Sequence, residues 1–374
     1  MLLPETYQAA LFLMLLSMIC WGSWANTLKM CPRYPFQLFY WDYAIGLLAG
    51  AILWGVTAGS IGSTGLPFFE AIAHAPLGAI LFAVAGGMVF NIANLLLVAA
   101  IDIAGLAVAF PVGIGLALIV GAVSSYLVSP AANPLLLFGG VALVTVAIVL
   151  DAAAYRKREA GVPADRSSSA GWEAGVLADR SSSAGWEAGV PADRSSSAGW
   201  EAGAKAATTR GIVLSLVAGV LMGLFYPLVA RALSSAPGRP SPGPYAVAFF
   251  FALGLLVSTV PANLLLMAKP LNGEPPIAGA DFWRAPLRWH VAGTLGGAIW
   301  CTGGLANFVA SGAHLVGPAV SYSIGQGATM ISACWGVFVW REFAGAPRSA
   351  KILLLLMFVF FAMGLGAVAL APLF

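Results

Sequence analysis

Asp42 is a carboxylate set inside an apolar run, Phe39-Tyr40-Trp41-Asp42-Tyr43. A carboxylate within a membrane span costs roughly 2.5–3.5 kcal/mol on insertion scales, so it faces a cavity or a partner. Burial disfavours the charged form of such a group, the property that proton coupling needs. Two readings stand side by side. Asp42 takes and releases a proton, or it caps the start of its helix or pairs with Lys29 or Arg33. Trp21 and Trp24 lie three apart on one helix face, beside Gly22 and Ser23, which admit close helix contact. They form either a flat wall for a planar ligand or part of an interfacial aromatic belt. Asn91 and Asn94, also three apart, carry amides where little else is polar, and Trp300, Asn307, Tyr322, Ser323 and Gln326 supply a comparable set later in the chain. Such groups bond neighbouring helices, or they recognise an uncharged polar solute if several face one space.

Other chemistry is poorly served. His74, His290 and His314 are isolated at predicted span ends, where solvated or capping histidines are the common case. A metal site needs clustered ligands, and no metal or other cofactor is expected. Cys20, Cys31, Cys301 and Cys334 show no C-x-x-C spacing and read as small buried hydrophobes. No Gly-x-Ser-x-Gly elbow is present. An intramembrane enzyme is therefore disfavoured.

The elements that must position these residues are helices in a bilayer. Of the 374 residues 60% are hydrophobic and 9% charged, with mean hydropathy +0.89; soluble domains carry about 25% charged residues. A formal charge of +3 is too small and dispersed for nucleic acid. A helix crosses the hydrocarbon core in about 20 residues, and ten segments qualify: 6–28, 36–58, 77–101, 103–128, 134–155, 210–233, 245–268, 287–310, 314–339 and 350–372. Prolines at 32 and 35, 130 and 134, and 237 and 240 separate several of them. Asp102 suits the N-cap of the fourth helix, and Pro111 and Pro318 are expected to break the fourth and ninth. The leader Met1-Leu2-Leu3-Pro4-Glu5 has no basic side chain, so the first helix reads as a span and not a cleaved signal.

The expected fold is an all-α polytopic membrane protein of ten transmembrane helices arranged as two inverted five-helix repeats. Ala75-Pro76-Leu77 followed by Gly86-Gly87 recurs as Ala285-Pro286-Leu287 followed by Gly296-Gly297, an offset of 210 that also pairs Ile114-Gly115 with Ile324-Gly325. An odd number of spans per half makes the second half run opposite to the first, as in many secondary transporters. Residues 1–155 form the first repeat, 156–209 a disordered linker and 210–374 the second repeat. The linker holds three near-identical 14-residue copies, 160–173, 174–187 and 188–201, too polar and glycine-rich to offset chain entropy by burial. Of the 18 Lys and Arg residues, only Arg231 and Arg239 fall on the side of the two termini. Basic residues favour the cytoplasm, so both termini are expected outside and the linker cytoplasmic. Gly46-x-x-x-Gly50, Gly55-x-x-x-Gly59, Gly219-x-x-x-Gly223 and Gly293-x-x-x-Gly297 are close-packing surfaces expected to join helices within the chain. Arg341-Glu342 is expected to form an ion pair or a gate on the cytoplasmic side.

Taken in order, Trp21-Gly22-Ser23-Trp24, Trp41-Asp42-Tyr43, Ile92-Ala93-Asn94, Trp335-Gly336 and Arg341-Glu342-Phe343 resemble the ureide permease family of the drug/metabolite transporter superfamily. The resemblance covers both halves but not the linker. It implies ten helices, an outside N-terminus, a long cytoplasmic central loop and proton-coupled uptake of ureides and related nitrogen heterocycles such as allantoin and uracil. Plant members carry a Walker-A-like stretch in that loop, and Gly-x-x-x-x-Gly-Lys-Ser/Thr is absent here. The related bacterial glucose/ribose uptake proteins share the architecture.

The expected activity is secondary transport across the plasma membrane, with a small-molecule solute and protons as partners in a lipid bilayer and a homo-oligomer allowed. Trp21, Trp24, Asn91, Asn94, Trp300, Asn307, Tyr322 and Gln326 are the expected solute-binding residues, and Asp42 the coupling residue. A sugar transporter is the nearest alternative, but it would want more hydroxyl-bonding carboxylates and amides than these helices hold. A metabolite or drug exporter of the same superfamily, or a non-transporting receptor, is a further alternative.

Overall fold

The computed structural model describes residues 1–62, 64–160, 197–234, 241–270, 275–313 and 315–374. The three 14-residue copies and His314 lie largely or wholly outside them. The described chain is all helical: α1 (Tyr7–Ser23), α2 (Asn26–Lys29), α3 (Phe36–Val56), α4 (Phe68–Ala73), α5 (Leu77–Ala104), α6 (Leu106–Val128), α7 (Pro134–Ala160), α8 (Ser197–Leu233), α9 (Gly243–Ala268), α10 (Ala280–Arg284), α11 (Leu287–Gly312), α12 (Pro318–Gly325), α13 (Ala328–Cys334) and α14 (Arg348–Leu370). Helix extends into both ends of the segment read as linker, over 156–160 and 197–209. Among the described residues, eight helical stretches are long and apolar enough to cross a membrane. Large apolar side chains such as Phe12, Leu53, Leu81, Leu127, Leu135 and Leu355 point outward from them. Water would penalise such a surface, whereas lipid tails accept it.

Helix boundaries follow local chemistry. Prolines 35, 76, 286 and 347 stand at N-caps in extended conformation, where a missing N–H costs nothing. Pro76 and Pro286 adopt nearly the same angles, φ −60° ψ 136° and φ −61° ψ 139°. Thr6 accepts from the Ala9 N–H to start α1, and Asn133 accepts from Leu135 and Leu136 to start α7. Asp102 does not cap the fourth helix. It lies in the last turn of α5, and the break falls at Gly105, whose φ of 78° an L side chain resists. Pro111 leaves α6 continuous. Pro318 begins α12, and the ninth helix instead breaks at Gln326-Gly327, then ends in a π turn over Trp335–Val339.

One helix crossing is built twice. α3 packs along α11 and α5 along α9, while α1 packs on α11 and α8 on α5. A methyl group on Gly297 would strike the Tyr43 carbonyl, and one on Gly46 the Thr294 carbonyl. A methyl on Gly87 would strike the Phe251 carbonyl, and one on Gly254 the Val84 carbonyl. The second crossing repeats the first with Gly87 and Val84 in place of Gly297 and Thr294, an offset of 210. Small residues bring both pairs of backbones into direct contact. Gly219 likewise meets Gly113, and Gly223 meets Val120, so all four glycine pairs singled out by spacing meet other helices of this chain. The fourth holds Phe68 and Tyr245 beside Gly55 and Gly59.

Candidate functional site

Between these crossings lies a cavity of about 190 Å³, bounded by α1, α3, α5, α6, α8, α11 and the interrupted helix α12–α13. Its walls are mainly apolar, seven of the twenty lining residues being aromatic. Trp21 stacks on Trp300 at 5.5 Å with 22° between planes, and Trp300 stacks on Phe251 at 5.8 Å with 7°. Phe90 sits 4.4 Å from Trp300 and 5.2 Å from Phe225. Trp24 leans on Tyr43 at 4.8 Å. Gly325 leaves the room that Trp21 occupies, since a methyl there would meet its ring. Phe36, Phe110 and Met222 extend the apolar lining.

Polar groups enter at a few points. Asn94 donates to the Tyr40 hydroxyl at 3.2 Å, which leaves its carbonyl oxygen as an acceptor at the cavity wall. The interruption after Gly325 carries Gln326 to the lining, with Thr329 and Ser332 beside it. The Trp21 indole N–H is buried with no hydrogen-bond partner among the described residues. A buried donor left in that state is costly, and a bound acceptor would relieve it. None of the lining side chains is charged. Aromatic faces with a few fixed amides suit a flat, neutral solute bearing carbonyl and N–H groups.

Of the expected binding residues, Trp21, Trp24, Asn94, Trp300 and Gln326 share this cavity. Asn91, Asn307 and Tyr322 do not line it and serve packing. Asn91 accepts from Tyr40 and Thr259 and donates to Ser258 at 2.9 Å. Asn307 donates to the Ser321 carbonyl at 2.9 Å and to Ser17 at 3.2 Å, and accepts from Tyr226 and Ser321. Tyr322 donates to the Ala117 carbonyl at 3.0 Å from beneath Gly121. An amide inside a bundle satisfies its neighbours first, because nothing else can.

Asp42 also stands away from the lining, at the α3–α11 crossing. It is 4% exposed. Tyr34 donates to its Oδ2 at 2.9 Å, and Nδ1 of His290 lies 3.0 Å from both carboxylate oxygens. Burial first, and the hydrogen bond to Asp42 second, hold the Tyr34 phenol above its ordinary range, so it stays a donor. His290 is therefore no isolated solvated histidine. His74 is exposed. Spacing alone did not show Tyr34 or His290 as partners. A usable signal existed: in the 210-residue offset His290 falls where the first half has Ile80.

A second polar cluster ties helix ends together. Glu342 accepts from Lys29 at 3.2 Å, Arg158 at 3.4 Å and Tyr155 at 3.0 Å. Lys29 lies 3.8 Å from the Trp340 ring centre, the Trp340 indole donates to Asn26 at 2.7 Å, and the Trp335 indole donates to Ser23 at 2.9 Å. Ser23, Asn26 and Lys29 recur every three residues, so one face of the α1–α2 run is fastened to the segment that follows α13. Arg341, at φ 53°, turns the chain so that the Glu342 N–H reaches the Gly336 carbonyl at 2.9 Å. The ion pairing expected at Arg341-Glu342 is thus made by Glu342 with distant partners. All four cysteines are free, Cys31 and Cys301 fully buried.

A multi-pass membrane protein with an uncharged cavity between packed helices is the class these features define. Comparison with known proteins narrows it. Residues 39–173 match the family model described as ureide permease. Ureide permease 2 of Arabidopsis thaliana is 25% identical over 392 residues, covering 96% of each chain. Ureide permease 4 of the same plant is 26% identical over 398 residues, again covering 96% of each. A crystal structure of a protein 15% identical in sequence superposes with a TM-score of 0.55 over 95% of this chain and 96% of its own, a likeness of fold. The chain is thus similar to the ureide permeases along nearly its whole length, as the order of its motifs implied.

Proposed function

We propose that the chain is a secondary transporter, not an enzyme, carrying ureides and related flat, neutral nitrogen heterocycles such as allantoin and uracil together with protons across the plasma membrane. The observation that carries this reading is the cavity itself, walled by Trp21, Trp24 and Trp300 and edged by Asn94 and Gln326. Stacking holds the plane of the solute, and amide side chains match its carbonyl and N–H groups. The similarity to ureide permeases supports the same solute class. A sugar presents hydroxyls on every side and gains little from stacked indoles, and no carboxylate lines this cavity to bind them.

Ten spans arise when α11 and the α12–α13 run are added to the eight most apolar stretches. The twice-built glycine crossing supports two five-span halves related by an inverted repeat. Rocking of one half on the other then exposes the cavity to each side in turn. The bias of Lys and Arg supports a cytoplasmic connection between the halves and both termini outside. Asp42, buried where the halves cross, is the candidate coupling carboxylate.

Radiolabelled allantoin and uracil supplied to proteoliposomes holding the purified chain test the reading. Saturable accumulation that a protonophore collapses supports it, and carriage of glucose or ribose without either heterocycle overturns it.

A further inference from the structure

The groups around Asp42, the candidate coupling carboxylate, bear on which atom of the cluster holds the exchangeable proton. Tyr34 already gives its hydrogen to Oδ2 of Asp42 at 2.9 Å. Nδ1 of His290 then lies 3.0 Å from Oδ1 and from Oδ2, and 3.4 Å from the Tyr34 oxygen. A lone pair on Nδ1 would face carboxylate oxygens at contact distance. The arrangement is satisfied when Nδ1 carries the hydrogen and donates it to Asp42, which fixes the tautomer and leaves Nε2 as the site that gains or loses a proton. The same logic governs the aspartate that orients a catalytic histidine through Nδ1. The His290 side chain is 21% exposed against 6% for Asp42, so the imidazole is the more exposed member of the pair.

The surroundings leave few competing groups. Cys31, whose thiol burial pushes up to about 11, donates towards backbone carbonyls of Thr27 and Trp289. Phe282 of α10 packs on the imidazole at 4.6 Å, and the charges of that helix, Asp281 and Arg284, are exposed and pair with each other at 3.5 Å. Arg288 on α11 is a further cation whose charge bears on Cys31, Lys29 of α2 is held by Glu342, and from α9 Met267 meets Trp41 while Asn263 donates to the Gln37 carbonyl at 2.7 Å.

The trio also breaks the repeat. Asp42 and His290 stand one turn before Gly46 and Thr294 at one crossing, and the matching places at the other crossing, one turn before Gly254 and Val84, are Phe250 and Ile80. Packing alone is met by the apolar pair, so the polar one answers a different need.

Building on the transporter reading, we propose that His290 carries the coupled proton on Nε2, with Asp42 and Tyr34 as positioning residues that fix its tautomer and orientation. With the proton bound, the pair is an imidazolium and a carboxylate, neutral together. Without it, one negative charge is left at a buried helix crossing, a less favourable state unless the helices shift to admit water. Proton loss therefore loosens α3 from α11, and so one half from the other.

Two measurements test this. A His74→Gln/His314→Gln variant leaves one imidazole, and its ¹⁵N NMR signals report each nitrogen directly in detergent micelles. Nδ1 is expected to stay protonated across the pH range in which the protein remains folded, with proton gain and loss registering at Nε2 alone; a non-protonated Nδ1 at any pH in that range overturns the proposal. In proteoliposomes, allantoin uptake by the wild type is expected to rise several-fold as the outside is acidified, and His290→Gln to flatten that profile, with Asp42→Glu restoring most of what Asp42→Asn removes. A His290→Gln profile that superposes on the wild type overturns the proton-carrying role alone. Absence of allantoin and uracil counterflow in the wild type overturns the transporter reading, and the proposal with it.

Discussion

The two glycine crossings are the same device carrying different side chains. At α3–α11, Gly46 and Gly297 bring backbones together beneath Asp42, Tyr34 and His290. At α5–α9, Gly87 and Gly254 do so beneath Phe250 and Ile80. What the crossings share is what packing demands, namely small residues facing carbonyls at matched positions. What they do not share is chemistry. The Glu342 cluster differs in the same way, since 210 residues earlier stands Ala132. At both polar clusters, the residue 210 positions before the second-half member, Ile80 or Ala132, is apolar.

Substitutions sharpen or break that contrast. The largest expected effect is at Glu342→Ala, which strands Lys29 and Arg158 at a site where both are buried. Removing one partner of a buried ion pair costs about 3–5 kcal/mol, and the loss should register as a lower melting temperature in detergent than Ala132→Ser gives. Placing an acid at the apolar crossing comes next. Phe250→Asp should destabilise by roughly 2.5–3.5 kcal/mol without adding a second pH-dependent step to uptake; a new acid-side transition in its pH profile would erase the distinction between the crossings. Gly87→Val and Gly297→Val should then cost alike, about 1–3 kcal/mol or more each from overpacking against a carbonyl. Chemical-denaturation midpoints compare them, and a cost at one position alone would contradict the shared framework. The smallest effect is expected in the cavity. Gln326→Ala should weaken allantoin binding by about 0.5–1.5 kcal/mol, roughly 2- to 12-fold in Kd, while leaving the melting temperature near that of the wild type.

Much of the framework was legible from residues alone. Apolar runs and the prolines at helix starts located most of the helices, because a bilayer leaves the backbone no alternative to helix, although Pro111, Pro227 and Pro261 sit inside continuous helices and the helix expected from residue 210 begins at Ser197. The repeated Ala-Pro-Leu and Gly-Gly pairs marked the matched helix starts and crossings. Boundaries that depend on a single residue were less legible. Asp102 looks like a cap, yet Gly105 ends the helix; Pro318 looks like a break, yet it is a first-turn residue and the interruption falls at Gln326. Within the site, Trp21, Trp24, Asn94, Trp300 and Gln326 converge, whereas Asn91, Asn307 and Tyr322 spend their polar atoms on adjacent helices. Residue type does not say which of two uses a buried amide has, since the answer depends on the neighbour it meets.

By itself, then, the sequence determined the medium and the placing of most helices along the chain. Those follow from hydropathy, length and proline geometry, all of which act locally along the chain. Only the tertiary structure decided that Asp42 meets His290, 248 residues away, that Glu342 binds the ends of two other helices, and which amides border the cavity. Contacts of that kind are fixed by how helices rotate about their axes when glycines let backbones touch, and no stretch of sequence read alone carries that angle.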